Sequence, residues 1–173
     1  FFVLGWEAVR GDGVVLVVLR LAAEAAGGPD TRLTHRDRTL DATPQPEIVT
    51  VAQAFAEFAG IDFLSTVTPD AIDRDRLAAQ VAAAGIRVAD DDTWSDLFSR
   101  GMGDRVEPGL AVRARPVILA EYPLHEAALA RPSHRDPRVA ERFELYACGV
   151  ELANGFGELT DAQEQRRRFV AEM

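Results

Sequence analysis

Lysine is absent from this sequence: all nineteen basic residues are arginine. Alongside abundant Ala, Val, Gly, Asp and Pro, that is the composition of a GC-biased genome and assigns no chemistry. A single cysteine, Cys148, excludes an intrachain disulfide and a cysteine metal cluster, and it fits a reducing, cytoplasmic setting. The three histidines, His35, His125 and His134, have no metal-ligand spacing and read as structural or surface groups. No apolar run approaches the roughly 18 residues a membrane span needs. The apolar stretch Val14–Leu21 lacks the basic flank and cleavage site of a signal peptide. Positive charge is in deficit, 19 basic against 28 acidic residues for a net charge of −9. That balance argues against a general nucleic-acid footprint. The densest basic patch, Arg166, Arg167 and Arg168, reads as a solvated helix face ahead of a local nucleic-acid contact. The sequence opens on Phe1 without an initiator methionine, and is expected to be an internal fragment.

What is present suits one globular domain: 173 residues, 47% hydrophobic and 27% charged. FFVLGW reads as a buried strand, and a helix capped by Asp12 runs through VVLVVLRLAAEAA to Gly27-Gly28-Pro29. Residues 30–46 read as a loop or short irregular hairpin. A helix is predicted over about Val49–Ala59, with Val51, Ala54, Phe55 and Phe58 on one face and Gly60 closing it. Thr68-Pro69-Asp70 is expected to start the next helix, with Ile72, Leu77, Val81 and Ala84 apolar and Gly85 at its end. The triplet Asp90-Asp91-Asp92 fits a negative start to a helix through TWSDLFSRGM better than a metal site. Beyond Pro116, PVILAEYP reads as a strand, LHEAALA as a short helix, and RFELYACG and VELANGFGEL as an antiparallel pair joined at Gly149. Thr160 and Asp161 cap a final helix. Strands at the two ends with helices between predict an α+β fold built on an antiparallel sheet.

The stretch Glu151–Leu159, ELANGFGEL, holds the only asparagine of the chain between two carboxylates. Alternation sends Asn154, Phe156 and Glu158 to one face of its strand. On the preceding strand Glu144, Tyr146 and Cys148 share a face. Glu151 falls on the opposite parity unless a bulge intervenes, which Gly149 and Gly155 would ease. Glu144, Asn154 and Glu158, with Glu151 close by, would make a strongly negative face. Such a face is either a solvated sheet edge or a site compensated by a cation. Mg²⁺, which takes one or two carboxylates and leaves other positions to phosphate and water, would serve, as would a substrate ammonium group.

The segment RVAERFELYACGVELANGFGELTDAQEQRRRF closely resembles the region before motif 3 of lysine-type class II aminoacyl-tRNA synthetases. Within that superfamily it looks most like the elongation factor P lysyltransferases, stand-alone paralogues that modify a protein instead of tRNA. FFVLGW is similar to a diverged second strand of motif 2, and WSDLF, VEP and PVILAEYP also fit. Ala127-Ala128-Leu129-Ala130 and ELTD at 158–161 resemble the protein-modifying branch; the tRNA synthetases usually carry Ser-Pro-Leu and Glu-Leu-Asn-Asp there.

The resemblance implies a partial class II catalytic domain over 1–173. Residues 1–7 would be the motif 2 strand, 12–104 a mainly helical region, and 116–173 the strands and helix preceding motif 3. It further implies an adenylate-forming ligase that uses ATP and Mg²⁺ to activate lysine or β-lysine for transfer to a lysine of elongation factor P. By position, Glu144 and Glu151 match the residues that hold Mg²⁺ at the ATP phosphates. Asn154, Phe156 and Glu158 match the amino-acid pocket, Glu158 toward an ammonium group and Phe156 as a wall. No catalytic residue is assignable within the chain. Gly5 and Glu7 depart from the family, which places a glutamate and a tyrosine facing lysine at those positions, and Gly157 stands where the branch often has histidine. Motif 1, through which the family forms homodimers, and the arginines of motifs 2 and 3 are not in these residues, so the chain alone is expected to be inactive. A lysyl-tRNA synthetase fragment acting on tRNA, and a degenerate binding domain without catalysis, are the alternative readings.

Overall fold

The computed structural model describes residues 2–3, 32–42, 44–127 and 129–171. Gly5, Glu7, the predicted helix from Asp12 and the Gly27-Gly28-Pro29 stop lie outside the described residues. The strands are β1 (Phe2–Val3), β2 (Arg32–His35), β3 (Arg38–Asp41), β4 (Glu47–Thr50), β5 (Val117–Ala120), β6 (Arg142–Ala147) and β7 (Val150–Phe156). The helices are α1 (Val51–Ala59), α2 (Arg74–Ala83), α3 (Trp94–Gly101), α4 (Glu107–Ala111) and α5 (Ala162–Ala171). Residues 30–46 contain a true hairpin, β2 paired with β3 in register Leu33↔Leu40.

The main sheet has the order β1-β7-β6-β5-β4. Its centre, β5-β6-β7, is antiparallel, but β1 runs parallel to β7 and β4 parallel to β5. The sheet is therefore mixed, which corrects the antiparallel expectation. The strand β4 also corrects the reading that the helix over Val49–Ala59 begins at Val49. Four residues, Glu-Ile-Val-Thr, are too few to show a period of their own, and pairing with the fully buried β5 makes them a strand. The helix starts at Val51, where Thr50 and Gln53 form a capping box: Thr50 Oγ1 accepts from Gln53 N at 3.1 Å, and Gln53 Oε1 accepts from Thr50 N at 2.9 Å. Gly60, at φ 68°, ends it.

Thr68-Pro69-Asp70 starts no helix. Thr68 N donates to Ala71 O at 2.8 Å, so these residues form a turn whose arms Val67 and Ile72 pair, leaving Ile72 exposed. The helix α2 begins later, capped by Asp73. The acidic triplet is resolved in a third way: Thr93 caps α3, and Asp92 reaches along the helix to a two-pronged ion pair with Arg100, at 2.5 and 2.8 Å. LHEAALA narrows to a single 3₁₀ turn, Leu124–Glu126.

One face of the sheet carries the helices. Val117, Leu119 and Tyr146 face α1, α2 and α3 in the main core, while Ile118, Ala120, Phe143, Leu145 and Ala153 face the opposite side. The centre of the main core is aromatic. Phe98 stacks between Phe55 (5.0 Å, 14°) and Trp94 (5.3 Å, 10°), with Phe63 edge-on to all three. The spacing Trp94, Leu97, Phe98, Gly101 puts the buried residues of α3 on one stripe. Past Gly101 the helix loosens into a π turn, Met102–Val106, before α4.

Two predictions follow from the packing and the last helix. A Cβ on Gly101 would lie 2.7 Å from Cε1 of the fully buried Phe55 ring, which Phe98 and Phe63 hold in place. Gly101→Ala is expected to destabilise by about 1–2 kcal/mol in urea unfolding, overpacking outweighing a helix-propensity gain of about 1 kcal/mol. In α5, hydrogen bonds from Arg167 and then Arg168 draw the Glu164 carboxyl down from 4.5 to about 2. Because the folded value is depressed, this contribution is complete above the unfolded value near 4.5 and is lost as pH falls toward 2. The stability gap between the native chain and Glu164→Gln should shrink from about 0.5 kcal/mol near pH 6 to nothing near pH 2, measured by denaturant titration.

Candidate functional site

The hairpin β6–β7 turns through Cys148 and Gly149, both left-handed (φ 54° and 75°), with Ala147 opposite Val150. Two consecutive positive φ angles are the signature of a two-residue turn that matches strand twist. Further along, Leu145 pairs with Ala153 but Tyr146 pairs with Glu151, leaving Leu152 as an extra residue. This bulge changes the parity of β7. Without it Glu151 would share a face with Ala153; with it, Glu151 joins Asn154 on the side of Glu144 and Tyr146. The expected bulge is present, at Leu152 and not at either glycine.

Glu144 is only 7% exposed and is the hub of the face. Its Oε1 accepts from Arg142 Nη2 at 2.8 Å and, at 3.5 Å, from Asn154 Nδ2; its Oε2 accepts from the Tyr146 hydroxyl at 2.7 Å. Burial, then the Glu144 charge, push the Tyr146 phenol far above its usual range. Tyr122 lies alongside with its ring 4.5 Å beneath the Arg142 guanidinium, and its buried hydroxyl makes no hydrogen bond of good geometry among the described residues. Burial and the Glu144 charge raise that phenol as well. The half-buried Glu151 carboxyl is also pushed up, by burial, then by Glu144 and, beyond the partial relief of Arg142, by Glu107 of α4. Glu151 and Glu107 line a cleft of about 670 Å³ that continues to Arg36 and Arg38 at the turn of the β2–β3 hairpin.

The remaining predicted residues are placed differently. Phe156 packs half-buried against the cluster of Ala127, Ala130 and Ala140 with Leu124, so part of the alanine segment builds its seat. Glu158 stands exposed beyond β7, bridged through its backbone to Ala130. The structure thus gathers Glu144, Glu151 and Asn154, sets Phe156 next along the same strand, and leaves Glu158 at the rim. Cys148 is not on the Glu144 face. Its thiol donates to Leu33 O at 3.2 Å at the hairpin turn, and burial raises its pKa. Arg142, Tyr122 and Glu107 were missed. Extending the Glu144–Tyr146 alternation one step back would have found Arg142; the other two come from distant elements, and no local pattern marks them.

Glu144 and Glu151 offer carboxylate oxygens, the hard donors that magnesium takes, and no sulfur or imidazole that a structural zinc site would use. Among the described residues no group of three His, Cys, Asp or Glu could hold a metal. Two carboxylates with a raised Glu151 are what an ion would relieve when it completes its shell with phosphate and water. The basic run is largely consumed by structure: Arg167 and Arg168 pair with Glu164, and Arg168 also donates to Ala130 O. Among the described residues no helix is long and apolar enough to cross a membrane.

A buried carboxylate hub with a second carboxylate brought to its side by a bulge makes this face of the sheet acidic. Residues 32–173 match the family of class II tRNA synthetases (D, K and N), and the chain belongs to that family. It is 34% identical over 157 residues to a lysine–tRNA ligase of Dehalococcoides mccartyi, covering 91% of this chain and 30% of that protein. It is 43% identical over 133 residues to an elongation factor P–(R)-beta-lysine ligase of Histophilus somni, covering 76% of this chain and 38% of that protein. The chain thus spans about a third of the length of the curated relatives it matches.

Gly157 tests how tightly the rim is built. A Cβ there would lie 2.6 Å from Glu141 Oε2 and 2.9 Å from Arg131 Nε, inside the ion pair those two groups form. Glu141 is 5% exposed, so opening the pair is costly. Gly157→Ala is expected to lower stability by about 1–3 kcal/mol by chemical denaturation, and the larger Gly157→His by at least as much.

Proposed function

We propose that this chain forms the acidic, substrate-facing part of an ATP-dependent ligase that activates lysine or β-lysine and passes it to a lysine side chain of elongation factor P. The observation that carries the reading is the Leu152 bulge, which puts Glu151 on the face of Glu144. The higher identity to the elongation factor P ligase supports the acceptor. The longer match to lysine–tRNA ligases keeps tRNA as the second reading.

In this reading the lysine carboxylate oxygen attacks the α-phosphorus of ATP, the bond to pyrophosphate breaks, and a lysyl-adenylate forms. The acceptor amine then attacks the acyl carbon, loses a proton and releases AMP. A magnesium ion at the phosphates supplies charge neutralisation for the first step. Glu144 and Glu151 would hold it, Glu144 being oriented by Arg142 and Tyr146 before substrate arrives. Asn154 would orient the amino acid, Phe156 would wall its aliphatic part, and Glu158, at the rim, would meet an ammonium group. The single cysteine, Cys148, supports a cytoplasmic setting for this chemistry.

The test is lysine- and β-lysine-dependent ATP–pyrophosphate exchange by the full-length protein that carries this chain, followed by label transfer to elongation factor P or to tRNA. Glu151→Gln is expected to lower exchange by about 10²-fold or more with the fold intact by circular dichroism. Transfer to tRNA and not to elongation factor P selects the second reading, and exchange unaffected by Glu151→Gln overturns the site.

A further inference from the structure

We propose that Arg142 is a built-in counter-cation of the acidic face, holding Glu144 when no divalent ion is bound and limiting how tightly that ion binds. The inference rests on the reading of Glu144 and Glu151 as the cation-holding carboxylates.

Contacts from three directions fix the guanidinium. Nη2 donates to Glu144 Oε1 at 2.8 Å, Nη1 donates to the backbone oxygen of Glu126 at 2.7 Å, and Cζ sits 4.5 Å over the Tyr122 ring. The side chains are 22% exposed for Arg142 and 9% for Glu144, so water screens the pair only partly. Tyr146 occupies the other oxygen, Oε2. Both oxygens of Glu144 are thus engaged before any cation arrives. A divalent ion must share Oε1 with Nη2 or displace it, whereas Glu151 carries the residual negative charge and is the easier ligand.

Charge explains the arrangement. Glu144 and Glu151 together carry −2, Glu107 adds a further negative charge beside Glu151, and Arg142, at +1, offsets only part of it. Without Arg142 a buried carboxylate would stand unpaired, which costs stability but attracts a divalent ion more strongly. The arginine trades affinity for a face that stays folded when empty and lets the ion leave with product. Glu126, whose backbone holds Arg142, is itself tied by its carboxylate to the Ser95 hydroxyl at the start of α3. The counter-cation is therefore anchored to the helical layer and not to the sheet alone.

The test uses the full-length protein, Mn²⁺ binding read by electron paramagnetic resonance, and thermal unfolding with and without Mg²⁺. Arg142→Gln is expected to bind Mn²⁺ about tenfold more tightly than the native protein. It should also melt lower without Mg²⁺ and recover most of that loss when Mg²⁺ is saturating. Arg142→Lys, which keeps the charge, should stay within about threefold of native affinity. A merely structural arginine would give a melting loss that Mg²⁺ does not repair. Should Arg142→Gln fail to fold in any condition, the ¹⁵N guanidinium resonance of Arg142 in the native protein decides: it must shift on Mg²⁺ addition, and an unmoved resonance overturns the proposal. Native-like or weaker Mn²⁺ binding by Arg142→Gln, with binding lost in Glu151→Gln, overturns the role of Arg142 alone. Equal binding by the native protein and both variants overturns the cation site together with it.

Discussion

The extra residue in β7, Leu152, sets which side of the sheet receives Glu151, and the acidic face depends on that choice. Side-chain parity in a strand is absolute: a shift of one residue moves a carboxylate from one layer to the other. On the far side Glu151 would join Phe143, Leu145 and Ala153 in an apolar cluster, where an ionised group has no partner. On the near side it meets Glu144, Arg142 and the cleft beside α4. The Cys148–Gly149 turn fixes the hairpin end, so the mismatch between the strands must be absorbed further along, where Leu152 absorbs it.

The hub and the helical core are mechanically linked. Trp94 donates to Thr66 Oγ1 at 2.9 Å and stacks on Phe98, so the start of α3 has a defined position. Ser95, next along that helix, ties to Glu126, and Glu126 holds Arg142, which in turn holds Glu144. The Glu144 carboxylate is thus supported through three elements, each locked by packing. Such support from behind gives a site its precision. The Phe156 end of the strand is built differently, on small residues: Ala127, Ala130 and Ala140 leave room for Phe156, and Gly157 leaves room for the Arg131–Glu141 pair.

The match to the class II (D, K and N) family over residues 32–173 includes the β6–β7 hairpin that carries the acidic face. The chain spans about a third of its curated relatives, and among its described residues the β6–β7 face concentrates negative charge. In the basic run at 166–168, Arg167 and Arg168 are occupied in holding α5, whereas Arg142 is in direct contact with the face.

Much of this was legible in the sequence because the energies involved are local. Gly60 after α1, the Trp94-Leu97-Phe98-Gly101 stripe and the β6–β7 hairpin around Gly149 each depend on residues within a few positions of one another. The carboxylates Glu144 and Glu151 and the need for a bulge between them were readable in the same way. The tertiary structure alone decided the rest. Glu-Ile-Val-Thr became β4 because β5 offered it a partner 70 residues away, the position of the bulge came from closing the β6–β7 ladder against its turn, and Arg142 gained its role from Tyr122 and Glu126. A strand partner or a buried ion pair draws its free energy from contacts that no local window contains.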